Sequence, residues 1–100
     1  MEALTPGHLY ALDNFEDAGV VQTVKFIHKE KDDTTLVTVK DGTTNEEVLA
    51  MLIDRMQFLQ AKAPCRENSI VITKLEEALM WLNRRTAGRV FRGVEGTPKL

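Results

Sequence analysis

Three arginines near the end of the chain, Arg85, Arg89 and Arg92, continue the spacing of Ala78 and Leu82 at intervals of four, three, four and three residues. On a helix that spacing runs an apolar stripe directly into a guanidinium stripe. Each guanidinium presents planar paired donors that match phosphate oxygens, so three in line would suit a diphosphate. The same residues would equally answer the negative pole of a helix C-terminus. Phe58 is ambiguous in a similar way. It lies outside the main apolar seam of its segment, and is either a sheet-facing core side chain or a stacking surface for a flat ring. Asn68 carries a donor and an acceptor on one amide, suited to a base edge or a ribose hydroxyl, or to capping a helix. It belongs to the stretch PCRENS, Pro64 to Ser69, which is too short and too polar for a core element.

Catalytic chemistry finds no comparable set. His8 and His28 fall in or near strand segments, far in sequence from Cys65, and no serine elbow, phosphate loop or ligand-spaced His/Cys cluster occurs. Both histidines read as surface or edge residues. The adjacent carboxylates Glu46 with Glu47 and Glu76 with Glu77 suit capping and solubility. We expect no catalytic residue, no metal site, no cofactor and no enzymatic activity.

Thirteen Lys and Arg against fifteen Asp and Glu give a net charge of -2, which argues against holding long nucleic acid by bulk charge. Any anion site must then be local. A DNA- or protein-binding helical module would use the basic end around Arg84, Arg85, Arg89 and Arg92, but no recognition-helix pattern accompanies it. The single cysteine leaves no internal disulfide framework and fits a reducing compartment. With no long apolar run and no signal-type N-terminus in MEALTPGHLY, the expectation is a soluble intracellular protein without a membrane partner.

The elements that must position these residues follow from periodicity. VVQTVKFIHK, Val20 to Lys29, alternates at period two and predicts one strand; TLVTVK predicts another, with the hairpin closed near Lys31 to Asp33. HLYALDNF supplies a third strand upstream. Asp41-Gly42 ends the sheet, and Thr44-Asn45-Glu46-Glu47 reads as a capping box. A helix then carries Leu49, Leu52, Met56, Leu59 and Ala63 on one face, and Pro64 stops it. A second helix repeats the pattern through Ile72, Leu75, Leu79 and Leu82 until Gly88 weakens it near Arg89. The expected fold class is α+β, in one domain spanning residues 1–100. An antiparallel β-ribbon of two or three strands (8–40) precedes an antiparallel helical hairpin (45–89), and a tail (93–100) has no reason of its own to order. Val48, Ile53, Phe58, Val71, Met80 and Trp81 cannot all share one two-helix seam, which predicts at least a homodimer.

The span DGTTNEEVLAMLIDRMQFLQAKAPCRENSIVITKLEEALMWLNRRTAGR, with RGVEGT after it, closely resembles the phage-encoded Thoeris anti-defence sponge family. The helical hairpin of that family is shared with the phage sponge that counters CBASS immunity. PCRENS followed by ITKLEEALMWLN carries the resemblance, and VVQTVKFIHK is similar to the N-terminal ribbon of the anti-Thoeris members. The resemblance implies a protein of the infected host's cytoplasm that binds a cyclic nucleotide immune signal and hides it without degrading it. For anti-Thoeris members the signal is a glycocyclic ADP-ribose isomer, held at a dimer interface. Phe58, Asn68, Arg85 and Arg89 match the family's positions for that pocket. Some members assemble as trimers of dimers and take cyclic di- or trinucleotides at separate sites, for which Arg66 and Thr73 are the candidates here. In one helix, Arg85 and Arg89 would stand roughly 25 to 30 Å from Asn68 at 1.5 Å per residue. A single small ligand could meet both groups only if they came from different chains. PCRENS would then be the corner that turns one helix onto the next and sets Asn68 across from Phe58, with Pro64 and Cys65 keeping it rigid.

Overall fold

A computed structural model describes residues 1–100. The chain divides into two compact units, Met1–Thr44 and Asn45–Leu100. The first is all strand and the second all helix, so the α+β arrangement of antiparallel strands followed by a helical hairpin is observed.

The strand unit holds five strands rather than two or three. β1 (Glu2–Thr5), β2 (Leu9–Asp13) and β3 (Val21–Lys25) form an antiparallel sheet with β2 in the middle, and β4 (His28–Asp32) pairs with β5 (Thr35–Lys40) in a separate hairpin. Ala11, central in β2 and paired with Glu2 and Thr23, is the buried hydrophobic residue of this sheet. The β4–β5 turn places Asp33 at φ 54, a left-handed conformation that aspartate tolerates, and the Thr35 hydroxyl closes it by donating to the Asp32 carbonyl at 3.1 Å.

The run Val20 to Lys29 is therefore not one strand. After Lys25 the backbone changes partners: the Phe26 N–H donates to the His8 carbonyl at 2.7 Å, the Ile27 N–H to the Thr43 carbonyl at 2.9 Å, and the Thr43 N–H to the Lys25 carbonyl at 2.8 Å. Phe26 and Thr43 thus form an isolated parallel bridge between the two sheets. Side-chain alternation continues straight through this exchange, which is why periodicity alone merges β3 with β4. Gly42 makes the approach feasible. A Cβ there would lie 2.5 Å from the Phe26 carbonyl carbon and 2.6 Å from the Lys25 oxygen, closer than any side chain can come.

In the helical unit, α1 (Asn45–Lys62) begins directly after Thr44 and α2 (Arg66–Phe91) returns antiparallel to it. Ile72, Leu75, Leu79 and Leu82 of α2 are half-buried, as are Leu49, Ile53, Met56 and Leu59 of α1. No residue of α1 is fully buried. Met51, Met80, Trp81, Val90 and Phe91 are exposed by half or more, so the apolar surface exceeds one seam, as the pattern predicts. Helix α2 passes through Gly88 and ends two residues beyond Arg89. Gly93 adopts φ 70; its N–H donates to the Val90 carbonyl at 3.1 Å and the Val94 N–H to the Arg89 carbonyl at 3.0 Å, the pair of hydrogen bonds that closes a glycine-terminated helix.

Candidate ligand-binding site

The PCRENS corner is fastened by a residue that no sequence pattern singled out. Gln60, on the last turn of α1, accepts from the Cys65 N–H at 3.0 Å and donates to the Cys65 carbonyl at 3.0 Å and the Ser69 hydroxyl at 2.7 Å. Its single amide sews the end of one helix to the start of the next. Cys65, not Asn68, is the N-cap of α2, its sulfur accepting from the Asn68 N–H at 3.4 Å. That leaves the half-buried Asn68 side chain with no hydrogen bond inside the chain. Phe58, one turn of α1 from the corner, is 55% exposed. The Lys62 ammonium lies 4.6 Å from the ring centroid, within cation–π range.

The arginine stripe has three different fates. Arg92 donates to the Gly88 carbonyl at 3.4 Å, the end-capping role that a C-terminal cation commonly takes. Arg85 is exposed and makes no ion pair or hydrogen bond within the chain. Arg89 is 5% exposed. Its Nε meets the Glu95 carboxylate at 3.1 Å, one Nη donates to the Val94 and Thr97 carbonyls at 3.0 and 2.7 Å, and the other Nη to the Lys99 carbonyl. Four of its five N–H groups are thereby used, and the tail expected to lack a reason for order wraps this one side chain. The reason was hidden from the sequence because the acceptors are main-chain carbonyls, which every residue type supplies.

Asn68 and Arg85 lie on one continuous helix 17 residues apart, so about 25 Å separates them. The chain brings Asn68 and Phe58 to one end of the hairpin and Arg85 and Arg89 to the other. Arg66 and Thr73 do come together: with Ser69, Ile70 and Lys74 they line a shallow depression of ≈ 290 Å³ on α2. The Thr73 hydroxyl donates to the Ser69 carbonyl at 3.1 Å.

Residues 11–87, which include this hairpin with PCRENS at its corner, match the family model described as Acb2/Tad1, hairpin domain. The chain belongs to that family. It is also similar to Thoeris anti-defense 1 of Bacillus phage SBSphiJ7, with 60% identity over 58 residues. That match covers 57% of this chain and 41% of the relative, so the chain spans about two fifths of the length of the curated relative it matches. No helix of the chain is long and apolar enough to cross a membrane.

Proposed function

We propose that this chain is a phage anti-defence protein that acts by sequestration in the host cytoplasm, binding a cyclic nucleotide signal of the glycocyclic ADP-ribose class and releasing it unaltered. The observation that carries the reading is the pair of uncommitted groups, the open Phe58 ring and the unpartnered Arg85 guanidinium, at opposite ends of a hairpin whose helices leave apolar surface uncovered. An antiparallel homodimer would set one subunit's Phe58 and Asn68 beside the other's Arg85, with ring stacking on Phe58, amide readout by Asn68 and phosphate contact by Arg85. Arg89 would have only its one remaining N–H to offer, the others being held by its own tail. Each guanidinium–phosphate contact contributes about 1.5–3 kcal/mol and base stacking about 1–3, so a few such contacts on a preorganised dimer bring nanomolar binding into range.

Isothermal titration with 1''-3' and 1''-2' glycocyclic ADP-ribose tests this. Saturation at one or two sites per dimer is expected, with loss of binding in Phe58→Ala and Arg85→Ala while the dimer persists. Normal binding by both variants would remove the pocket, and recovery of cleaved rather than intact ligand after heat denaturation would replace sequestration with catalysis. A second reading, uptake of cyclic di- or trinucleotides of CBASS between dimers of a hexamer, is favoured by the depression that gathers Arg66 and Thr73 beside Lys74. Titration of those ligands against Arg66→Ala separates the two.

A further inference from the structure

Where the two sheets of the strand unit meet, a cavity of ≈ 390 Å³ is lined by Thr5, His8, Leu9, Lys25, Phe26, His28 and Lys40. Its composition follows from strand register. Lys25 pairs with Leu9 across β3 and β2, Lys40 pairs with His28 across β5 and β4, and the His8 and His28 rings stack at 3.8 Å with 10° between their planes, joining one sheet to the other. Two lysines and two imidazoles thus converge on one hollow, and no carboxylate lines it. Neither lysine has an ion-pair partner within the chain, and the exposed Glu30 carboxylate lies 3.4 Å from His28 Nε2. His8 adds a further asymmetry. Its Nδ1 is buried with no hydrogen-bond partner. A buried N–H without an acceptor costs more than a buried lone pair, so the neutral ring keeps its proton on Nε2 and has that donor left to offer.

We propose that this cavity is a binding site for a small phosphomonoester, separate from the hairpin and independent of the function proposed for it. The lysine ammonium groups, the Thr5 hydroxyl and the His8 imidazole N–H supply donors to a phosphate, while Leu9 and Phe26 supply an apolar wall for the group it is attached to. The volume sits at the low end for small-molecule pockets, enough for one ring and one phosphate and too small for a dinucleotide. Lys25 and Lys40 are exposed and neither has an ion-pair partner within the chain; a bound oxyanion would supply the counter-charge that the lining lacks.

The test is an amide and histidine-ring NMR titration of the full chain with phenyl phosphate and inorganic phosphate, each set against sodium chloride at equal ionic strength. Phenyl phosphate should give saturable shifts at Thr5, Leu9, Lys25, Phe26 and Lys40 and at both imidazoles, with inorganic phosphate binding several-fold more weakly because it leaves the apolar wall uncovered. Lys25→Gln with Lys40→Gln should weaken phenyl phosphate about tenfold or more, while Lys29→Gln on β4, outside the lining, leaves it unchanged. If the double variant loses its strand spectrum, each single variant carries the test with a several-fold weakening. Shifts that fail to saturate, that chloride reproduces, or that survive in the lysine variants would overturn the proposal.

Discussion

At the corner, α2 is fastened by neutral bonds from a neighbour: one glutamine of α1 engages the backbone of Cys65 on both sides and the Ser69 hydroxyl. At its far end the helix is fastened by charge from within, Arg89 gathering a carboxylate and three carbonyls of its own tail. Both arrangements expose a neighbouring group. The corner leaves the Asn68 amide unused and Phe58 open, and the tail knot leaves Arg85, one turn before Arg89, without a partner. The difference teaches that residues at equal spacing on one stripe divide their labour, one arginine building structure and the other remaining available.

The largest expected effect comes from removing the knot. Arg89→Ala strips four acceptors of their donor at once, and the cost should be about 2–3 kcal/mol, tempered because the freed carbonyls of a surface tail regain water. Hydrogen exchange at the Thr97 and Lys99 amides, which bond within the tail, should accelerate toward unprotected rates. Arg89→Lys should restore little, since a point charge cannot span acceptors arranged around a planar fork. Tail amides that exchange equally fast in the parent chain would break the comparison.

Gln60→Ala should follow, at about 1–2 kcal/mol, because the Cys65 N–H and carbonyl lose their partner at a corner still partly open to water. The two ends should also respond differently to salt. The Arg89–Glu95 contact has a carboxylate 44% exposed and weakens on screening, whereas the neutral Gln60 bonds do not. Urea midpoints at low and high salt measure this. A Gln60 variant whose deficit tracks ionic strength would mean that the corner also depends on charge.

These two residues show where sequence reasoning reached and where it stopped. The hairpin was legible because its half-buried leucines recur at three and four residues and because Pro64 has no donor to continue α1. The Phe58 ring and the Asn68 amide could be named but not assigned, since exposure and the capping role of Cys65 are tertiary facts. Gln60 gave no signal: its bonds run to backbone atoms, and its polarity looked like an ordinary solvated position. Arg89 was read as part of an open stripe because periodicity places a residue on a face but does not say whether the chain folds back over it. The β3–β4 break was invisible for a related reason, the exchange of backbone partners around Phe26 and Thr43 leaving alternation intact, with Gly42 as its only trace.

Arg85→Ala should lie within about 0.5 kcal/mol of the parent in stability, as befits an exposed side chain with no partner. If Arg85 is the available arginine, the same variant lowers affinity for glycocyclic ADP-ribose by about tenfold or more, matching the loss of a charged phosphate contact. A variant that unfolds instead would show that Arg85, like Arg89, is structural.

The smallest effect, and the most informative about assembly, should come from Gly88→Ala. Gly88 lies inside α2 between the two arginines, and a Cβ built there meets nothing within 4 Å in the single chain. Helix propensity then favours alanine by up to about 1 kcal/mol, so the melting temperature should rise slightly and the rail joining Arg85 to Arg89 should stiffen. A glycine on an exposed helical turn leaves room for close backbone approach by something outside the chain. Light scattering on the same variant discriminates. Unchanged assembly with higher stability would make Gly88 a tolerated weakness of the helix, whereas higher stability with lost self-association would place a second copy against the turn that separates the structural arginine from the available one.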